Sequence, residues 1–565
     1  MIRRIFHADL SNIHHAAFWL AFFSAFSALL GLIRDRLLAS NFGASRPLDI
    51  YYAAFRVPDF IYGVMLFFTA ATAIIPVFLA SYEKNKKEGE ELFGSLLIFF
   101  LFSVVIISIL AFFLMPFILD FLLPGFNGEE KSNAVLLSRI LLLSPLFLGL
   151  SNILSGITES FRRFIASAMS PVLYNLGIII GIYFFMPLTK SFYGIVWGVI
   201  LGAVLHMSIQ LPAISKIGVS PQFSKLWNSD LKKVLKFSFP RTMGLQVAQI
   251  AAIFLTGLAS TLSQGSIAVF NFASNLQSLP VTIIGLSYSM AAFPNLALYS
   301  IKKARGDFQK HFSSAFRHIL FWTLPASALI LVLRAQIVRV ILGSGAFNWV
   351  DTRLTAAALF ILSLAVIFQS LFILLVWAFY AEGQSWKPLL VNIISNAIGV
   401  LLAFWLSGAL SENETVKNLF SSILNLSDIY DIRVLALPVG ILASNILNLV
   451  LLSFSFKLIF GYFPSFHAGR DIFQIILGSA VAGVSAYIGL NIFAKIFDLH
   501  TFLGIFLQGL FAGILGIIMW ALVLRLLKNR EVLEISANLK SVIFEEKLTV
   551  QKEDIVPIPE AEKLP

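Results

Sequence analysis

The chain reads as an all-α polytopic membrane protein of about fourteen transmembrane helices, arranged as two six-helix lobes with two added C-terminal helices. Three observations predict this. Of its 565 residues 58% are hydrophobic and 13% charged, against roughly 25% charged in a soluble domain, and the mean hydropathy is +0.87. The apolar runs are continuous and reach the ~20 residues that cross a ~30 Å hydrocarbon core, unlike the ~10-residue alternating segments of a β-barrel. Two landmarks also recur at nearly one offset. ATAIIP, ending at Pro76, and SMAAFP, ending at Pro294, lie 218 residues apart, while SPVLYN (Pro171, Asn175) and KPLLVN (Pro388, Asn392) lie 217 apart. Duplication of a six-helix unit explains both, and an even number of crossings gives the copies one orientation.

Taken in order, the runs fall at 16–33, 52–81, 95–119, 135–158, 164–186, 191–213, 237–262, 266–299, 315–342, 353–381, 388–409, 434–461, 472–495 and 501–527. Gly and Pro within them are tolerated in membrane helices, where neighbours satisfy the freed backbone groups. The predicted organisation is an N-terminal lobe at 1–215, a basic linker at 216–236, a second lobe at 237–462, two further helices at 472–527 and a partly disordered tail at 528–565. Ser411–Asp431 is a longer connection, part helical over Val416–Leu426, and Glu531–Glu546 has the composition of a short surface helix.

Charge orients the runs. The even-numbered connections carry Lys84, Lys86 and Lys87, then Arg162 and Arg163, Lys225, Lys232, Lys233 and Lys236, and Lys302, Lys303, Arg305 and Lys310. The odd-numbered ones carry Asp120, Glu129 and Glu130, then Glu412, Glu414, Asp428 and Asp431. By the positive-inside rule the basic side is cytoplasmic and both termini lie there, with Met1–His15 read as a retained start. The net charge of +11 then belongs to cytoplasmic loops, and nucleic acid is not an expected partner.

Several chemistries find no support. Without cysteine there is neither a disulfide nor a thiolate metal site, and the eight histidines are dispersed with no HxxxH beside carboxylates. No GxxxxGK[ST] is present, so the chain holds no Walker-type ATPase, and GSGAF at 343–347 reads as a turn. Neither an enzyme, a cofactor nor a metal is expected, and energy would come from an ion, potential or substrate gradient.

The informative segment is Ser27–Pro76, where Arg34, Asp35, Arg36, Asp49, Arg56 and Asp59 punctuate apolar sequence. An ionisable group at membrane depth costs roughly 2.5–3.5 kcal/mol on insertion scales, so such groups face a partner, a cavity or the interface. This pattern points to binding or movement of something polar within the bilayer. Pro58 leaves a backbone carbonyl without its helical donor, and Arg56 or its neighbours are available to it. Asp59 stands three residues from Arg56, within reach for pairing.

LGLIRDRLLASNFGASRPLDIYYAAFRVPDF is close to the pattern LGxxRDxxxAxxFGAGxxxDAFxxAFRxPN, ILGSGAFNWVDTRLTAAAL to FxRGAFxxxDTxxTAxAL, and AFYAEGQSWKP to AFYAxxDTxTP. On these motifs the chain resembles the MurJ/MviN lipid II flippases of the multidrug/oligosaccharidyl-lipid/polysaccharide exporter superfamily, over essentially Arg4–Lys528. The resemblance implies fourteen helices in a six-six-two plan, and alternating access that carries a polyprenyl-diphosphate-linked glycan outward across a bacterial inner membrane. Its partners would be that lipid-linked precursor, bilayer lipids, a coupling ion and cell-wall synthesis proteins.

The diphosphate needs cations, and arginine suits it because the guanidinium forks two hydrogen bonds and stays charged. Arg34 and Arg56 are the first choices, with Asp35, Asp49 and Asp59 beside them, Arg241 as an extra cation and Asn275 as a polar wall. Asp35 and Asp49 also read as groups that orient arginines or cap helices, and Arg36 as interfacial. The chain departs from the family pattern at Ala28, Tyr62, Gly63 and Asn275, where the family has arginine, and at Phe67, where it has glutamate. Gln246, Gln249, Asn271, Asn275 and Gln277 supply amides instead, which suit sugar hydroxyls better than a diphosphate. Two alternatives stay open: export of another polyprenyl-linked oligosaccharide, and a transport-inactive scaffold for envelope assembly.

Overall fold

The computed structural model describes residues 13–69, 71–189, 192–223, 227, 229–461 and 469–532, and among these it is helical without a strand. The expectations for the first twelve residues, for Lys225 and for the tail beyond Val532 lie outside the described residues. The helices used below are α1 (Ile13–Phe42), α2 (Arg46–Ala54), α3 (Arg56–Thr69), α4 (Ala71–Lys84), α5 (Lys86–Leu122), α6 (Gly128–Leu141), α7 (Leu143–Ser160), α8 (Phe164–Ile180), α9 (Tyr193–Ser208) and α10 (Leu211–Ile217). They continue with α11 (Ser229–Ser260), α12 (Ser266–Pro280), α13 (Ser287–Ile301), α14 (Arg305–Ile341), α15 (Trp349–Ala381), α16 (Trp386–Glu412), α17 (Glu414–Leu424), α18 (Ala436–Phe460), α19 (Gly469–Phe493) and α20 (Phe502–Leu526).

Eleven helical stretches among the described residues are long and apolar enough to cross a membrane, against the fourteen runs of the sequence reading. The other three runs, 16–33, 52–81 and 237–262, each include side chains outside the described ones, and the described part of the last holds a shorter apolar helix, Gln246–Ser260.

The break between α2 and α3 follows from Pro58. Proline removes the donor that would bond the carbonyl four residues earlier, and that carbonyl, Ala54 O, instead accepts a 2.9 Å hydrogen bond from Ser138 Oγ on α6. Ser138, not Arg56, answers the vacancy that the proline creates.

Helices α1–α9 pack mainly on one another, as do α12–α18, while α19 and α20 pair and lie against α14. Between the two groups runs α11, which packs on α3, α4 and α5 on one side and on α16 on the other. The last pair is tied down by Glu531, which meets Arg317 Nε at 3.1 Å and His318 Nε2 at 2.9 Å, and by Asn529, which donates to Gln474 at 2.9 Å. Burial pushes the Glu531 carboxyl up, but the hydrogen bonds from His318 and Arg317 outweigh it and hold the group below the usual carboxylate range.

Both groups use one packing device. A Cβ on Gly198 of α9 would sit 2.5 Å from the Gly181 Cα just beyond α8, and one on Gly399 of α16 would sit 2.5 Å from the Gly440 carbonyl oxygen of α18. Small residues let membrane helices approach until their backbones touch. Gly198→Leu is therefore expected to lose about 1–3 kcal/mol or more through overpacking. Gly408→Leu, where a Cβ meets nothing within 4 Å, is the control. Thermal unfolding of the two purified variants measures the difference; equal melting curves would refute a backbone-contact role for Gly198.

Candidate functional site

The charged residues of α1–α3 converge on the boundary between the two helix groups. Arg34 donates through Nε and Nη2 to Asp35 Oδ1 at 3.0 and 2.8 Å, and through Nη1 to Asn175 Oδ1 at 3.1 Å. Consecutive residues on a helix do not face each other, so this pair needs the reach of the arginine stem. The other carboxylate oxygen, Asp35 Oδ2, crosses the boundary and accepts from Asn275 Nδ2 of α12 at 2.9 Å. Asn175 is itself held by donation to Ser27 and to the Pro171 carbonyl.

Arg56 crosses the same boundary one helix away. Its Nε donates to Thr256 Oγ1 at 2.7 Å and its Nη2 to Asn271 Oδ1 at 3.0 Å. Asn271 and Asn275 stand on one face of α12 at a spacing of four, so a single helix of the second group grips Arg56 with one amide and Asp35 with the next. No described carboxylate lies within 4.0 Å of Arg56, so Asp59 is not its ion-pair partner. Both hydrogen-bond partners of this guanidinium are neutral, and Asp59 is the nearby charge that acts on it.

Asp49 has a different place. It is fully buried, and its two oxygens accept from the backbone N–H groups of Gly265 at 2.7 Å and Ala268 at 2.9 Å. These are orphan donors at the start of α12, so Asp49 caps a helix of the second group from within the first. Gly265 sits at φ +87, and a Cβ there would meet the Ala44 carbonyl oxygen at 2.2 Å, which leaves glycine as the residue that fits. Close by, Ala346 N donates to Ser40 O at 2.8 Å, Ala44 N to Asp351 Oδ2 at 3.2 Å, and Gly125 N to Ser260 Oγ at 3.2 Å. The two groups are thus closed together on the face of the odd-numbered connections.

Of the remaining sequence candidates, Asp59 is half-buried beside Arg56 and makes no side-chain hydrogen bond to a described residue. Arg241 lies on α11 and its side chain is outside the described residues. Arg36 leaves the cluster, donating to the carbonyls of Val340 and Ile341 at the end of α14 with Phe502 stacked beneath it. Sequence reasoning passed over Thr256 and the role of Asn175. The signal for Asn175 was present, because it anchors the internal repeat; a lone threonine in an apolar helix carries none.

Losing the Asp49 cap leaves two buried N–H groups unmet, at about 1–3 kcal/mol for each buried donor. Asp49→Ala is expected to lower the thermal unfolding temperature clearly more than Asp59→Ala. The reverse order would contradict a capping role for Asp49.

Comparison with known proteins identifies the family and the fold. The sequence profile of the family described as "Lipid II flippase MurJ" matches residues 38–508. The probable lipid II flippase MurJ of Buchnera aphidicola is 30% identical over 383 residues, covering 66% of this chain and 75% of that protein. The lipid II flippase MurJ of Burkholderia cenocepacia is 26% identical over 414 residues, covering 70% and 78%. Among solved structures, a lipid II flippase MurJ in an inward closed conformation superposes with a TM-score of 0.70 at 24% identity, over 90% of this chain and 98% of that one. An inward-facing MATE family transporter of the MOP superfamily follows at 0.62 and 17%, over 77% and 94%, so the fold is shared across both kinds of exporter. With its profile matched over most of its length and its helices laid out on the same plan, this multi-pass membrane chain belongs to the lipid II flippase MurJ family.

Proposed function

We propose that this chain is a flippase that carries a polyprenyl-diphosphate-linked glycan, lipid II, from the inner to the outer leaflet of a bacterial inner membrane by alternating access. The observation that carries the reading is Arg56, a guanidinium at the boundary of the two helix groups whose bonded partners, Thr256 and Asn271, are neutral. A charge-assisted hydrogen bond to phosphate is roughly twice as strong as one to a neutral acceptor. A diphosphate entering the boundary exchanges the amide and hydroxyl for anionic oxygens, and in doing so removes two of the bonds that join the groups. Arg34 sits one helix away with Asn175 as a further neutral partner that an anion can displace.

Motion in this reading is a rocking of the first helix group against the second. The odd-numbered connections are held by backbone contacts such as Ala346 N to Ser40 O, and opening there breaks them. The charge bias of the connections supports cytoplasmic placement of the even-numbered face and of both termini. The loss of the family's arginines at Ala28, Tyr62, Gly63 and Asn275 favours a second reading, another lipid-linked oligosaccharide, and one experiment separates the two.

A bacterium depleted of its own lipid II flippase is complemented with the wild-type chain, Arg34→Ala, Arg56→Ala and Arg56→Lys. Wild type is expected to restore growth, Arg56→Ala to lose at least tenfold in colony formation, and Arg56→Lys to lie between, since an ammonium keeps the charge but not the fork. A membrane-inserted wild type that fails to rescue shifts the substrate to a different lipid-linked glycan. Alternating access is tested in the same strain. The chain has no native cysteine, so Ser40→Cys with Ala346→Cys forms a single oxidisable pair. Oxidation is expected to abolish rescue and reduction to restore it; full activity of the cross-linked protein would refute opening at this face.

A further inference from the structure

The second helix group contains a cavity of about 760 Å³ that includes neither Arg34 nor Arg56. It is lined from α11, α12, α15, α16 and α18 and by the wide turn that follows Pro280, and Leu66 of α3 stands at its edge. Among the described residues no charged one lines it; the side chain of Arg241, three residues before the lining Gly244, lies outside them. Its polarity comes from a line of amides, of which Asn392, Asn396, Asn445 and Asn448 are the centre.

The internal repeat explains why this space is open. Asn175 and Asn392 are repeat-related, and each donates its Nδ2 to a carbonyl 148 residues upstream, Ser27 O at 3.3 Å and Gly244 O at 3.0 Å. In the first group the Oδ1 of that asparagine accepts from Arg34 at 3.1 Å. In the second it accepts from Asn396 at 2.6 Å and Asn448 at 3.3 Å. At the repeat offset of 217, Arg34 and Asp35 correspond to Ala251 and Ala252, and both alanines line the cavity. The positions of an ion pair in one group are held by two alanines beside open volume in the other.

The amides are not saturated. Asn448 is 3% exposed, its Nδ2 is committed to Asn392, and its Oδ1 accepts from no described residue. A buried acceptor without a donor costs about 1–3 kcal/mol, which a ligand bearing O–H or N–H groups returns on binding. The described walls offer an anion no counter-charge, and burying an unpaired charge is costly. Phe372 and Trp377 supply flat apolar surface on which the C–H faces of sugar rings pack. Pockets of roughly 300–1,000 Å³ enclose ligands of drug size, which admits a pair of sugar rings and excludes a polyprenyl chain.

We propose that this cavity binds the uncharged, N-acetylated sugar portion of the lipid-linked head group, while Arg34 and Arg56 take its diphosphate. The assignment rests on the flippase reading and adds the division of the head group between the two helix groups. The full chain in lipid nanodiscs is tested by equilibrium binding of two radiolabelled probes, N,N′-diacetylchitobiose and farnesyl diphosphate. Saturable sugar binding is expected in the wild type, weakened at least tenfold by Asn448→Leu and by Ala251→Phe, which fills the space without removing an amide. Arg56→Ala is expected to leave sugar binding unchanged and to weaken farnesyl diphosphate at least tenfold. Absence of sugar binding to the wild type, or insensitivity to both cavity variants, overturns the proposal, as does equal weakening by Arg56→Ala. Intact sugar binding without farnesyl diphosphate binding leaves the cavity assignment standing and overturns the diphosphate role of the arginines.

Discussion

A carboxylate taken out of water must be met by donors, and Asp49 meets that demand with the backbone of the opposite helix group. Both oxygens are held by N–H groups at the start of α12, and the residue has no exposed surface. The cap fixes where α12 begins, and therefore which of its residues face α1 and α3. From that registration follow two bonds across the boundary, Asn275 to Asp35 and Asn271 to Arg56. Gly265 completes the arrangement, because only a residue without a side chain allows the loop to reach Asp49 past the Ala44 carbonyl. A buried charge is weak evidence for stability but a recurrent device for specifying one arrangement over its competitors.

The two helix groups show how one ancestral unit can hold two chemistries. The Asn175 and Asn392 bonds span the same separation of 148 residues, and the glycine contacts of α8 with α9 and of α16 with α18 repeat the same backbone approach. Helix starts repeat as well, with a capping box at Asn127 and Glu130 on α6 and another at Asn348 and Asp351 on α15. What differs is the charge placed inside that shared frame. The first group carries Arg34 and Asp35 where the second carries two alanines, so scaffold and specificity are separable in this chain.

The fold class was legible because hydropathy acts over whole helices, and ~20 apolar residues leave few alternatives in a bilayer. The repeat was legible at Pro171–Asn175 and Pro388–Asn392 because proline and asparagine are rare enough in apolar helices to register. Charges at membrane depth marked the cross-boundary cluster, since Arg34, Asp35, Asp49 and Arg56 are all held by partners. The partners themselves were less legible. Thr256 and Ser138 are small polar residues that any membrane helix tolerates, and nothing local distinguishes them from ones that bond their own backbone. The pairing of Arg56 with Asp59 suggested by their spacing fails because Thr256 and Asn271, distant in sequence, hold the guanidinium on the other helix group. Contacts between repeats 200 or more residues apart are set by packing, which spacing does not encode.

The departures from the family pattern have an energetic consequence for motion. At position 275 the chain meets Asp35 with a neutral amide, a hydrogen bond to a charged group worth roughly 1.5–3 kcal/mol. Asp35 keeps Arg34 as its counter-charge, so that bond can open without leaving a carboxylate unpaired. The closed state then depends more on the face of the odd-numbered connections, where neutral backbone bonds and the Asp49 cap hold the groups together. Moving a two-state equilibrium from 1:99 to 99:1 needs about 5.5 kcal/mol of differential affinity. An anion that binds Arg56 must displace Thr256 and Asn271 while the boundary is closed but not once it is open, and that difference, not the bonds it makes in both states, moves the equilibrium. A substrate with this chemistry is thus itself the agent that loosens the boundary it must pass.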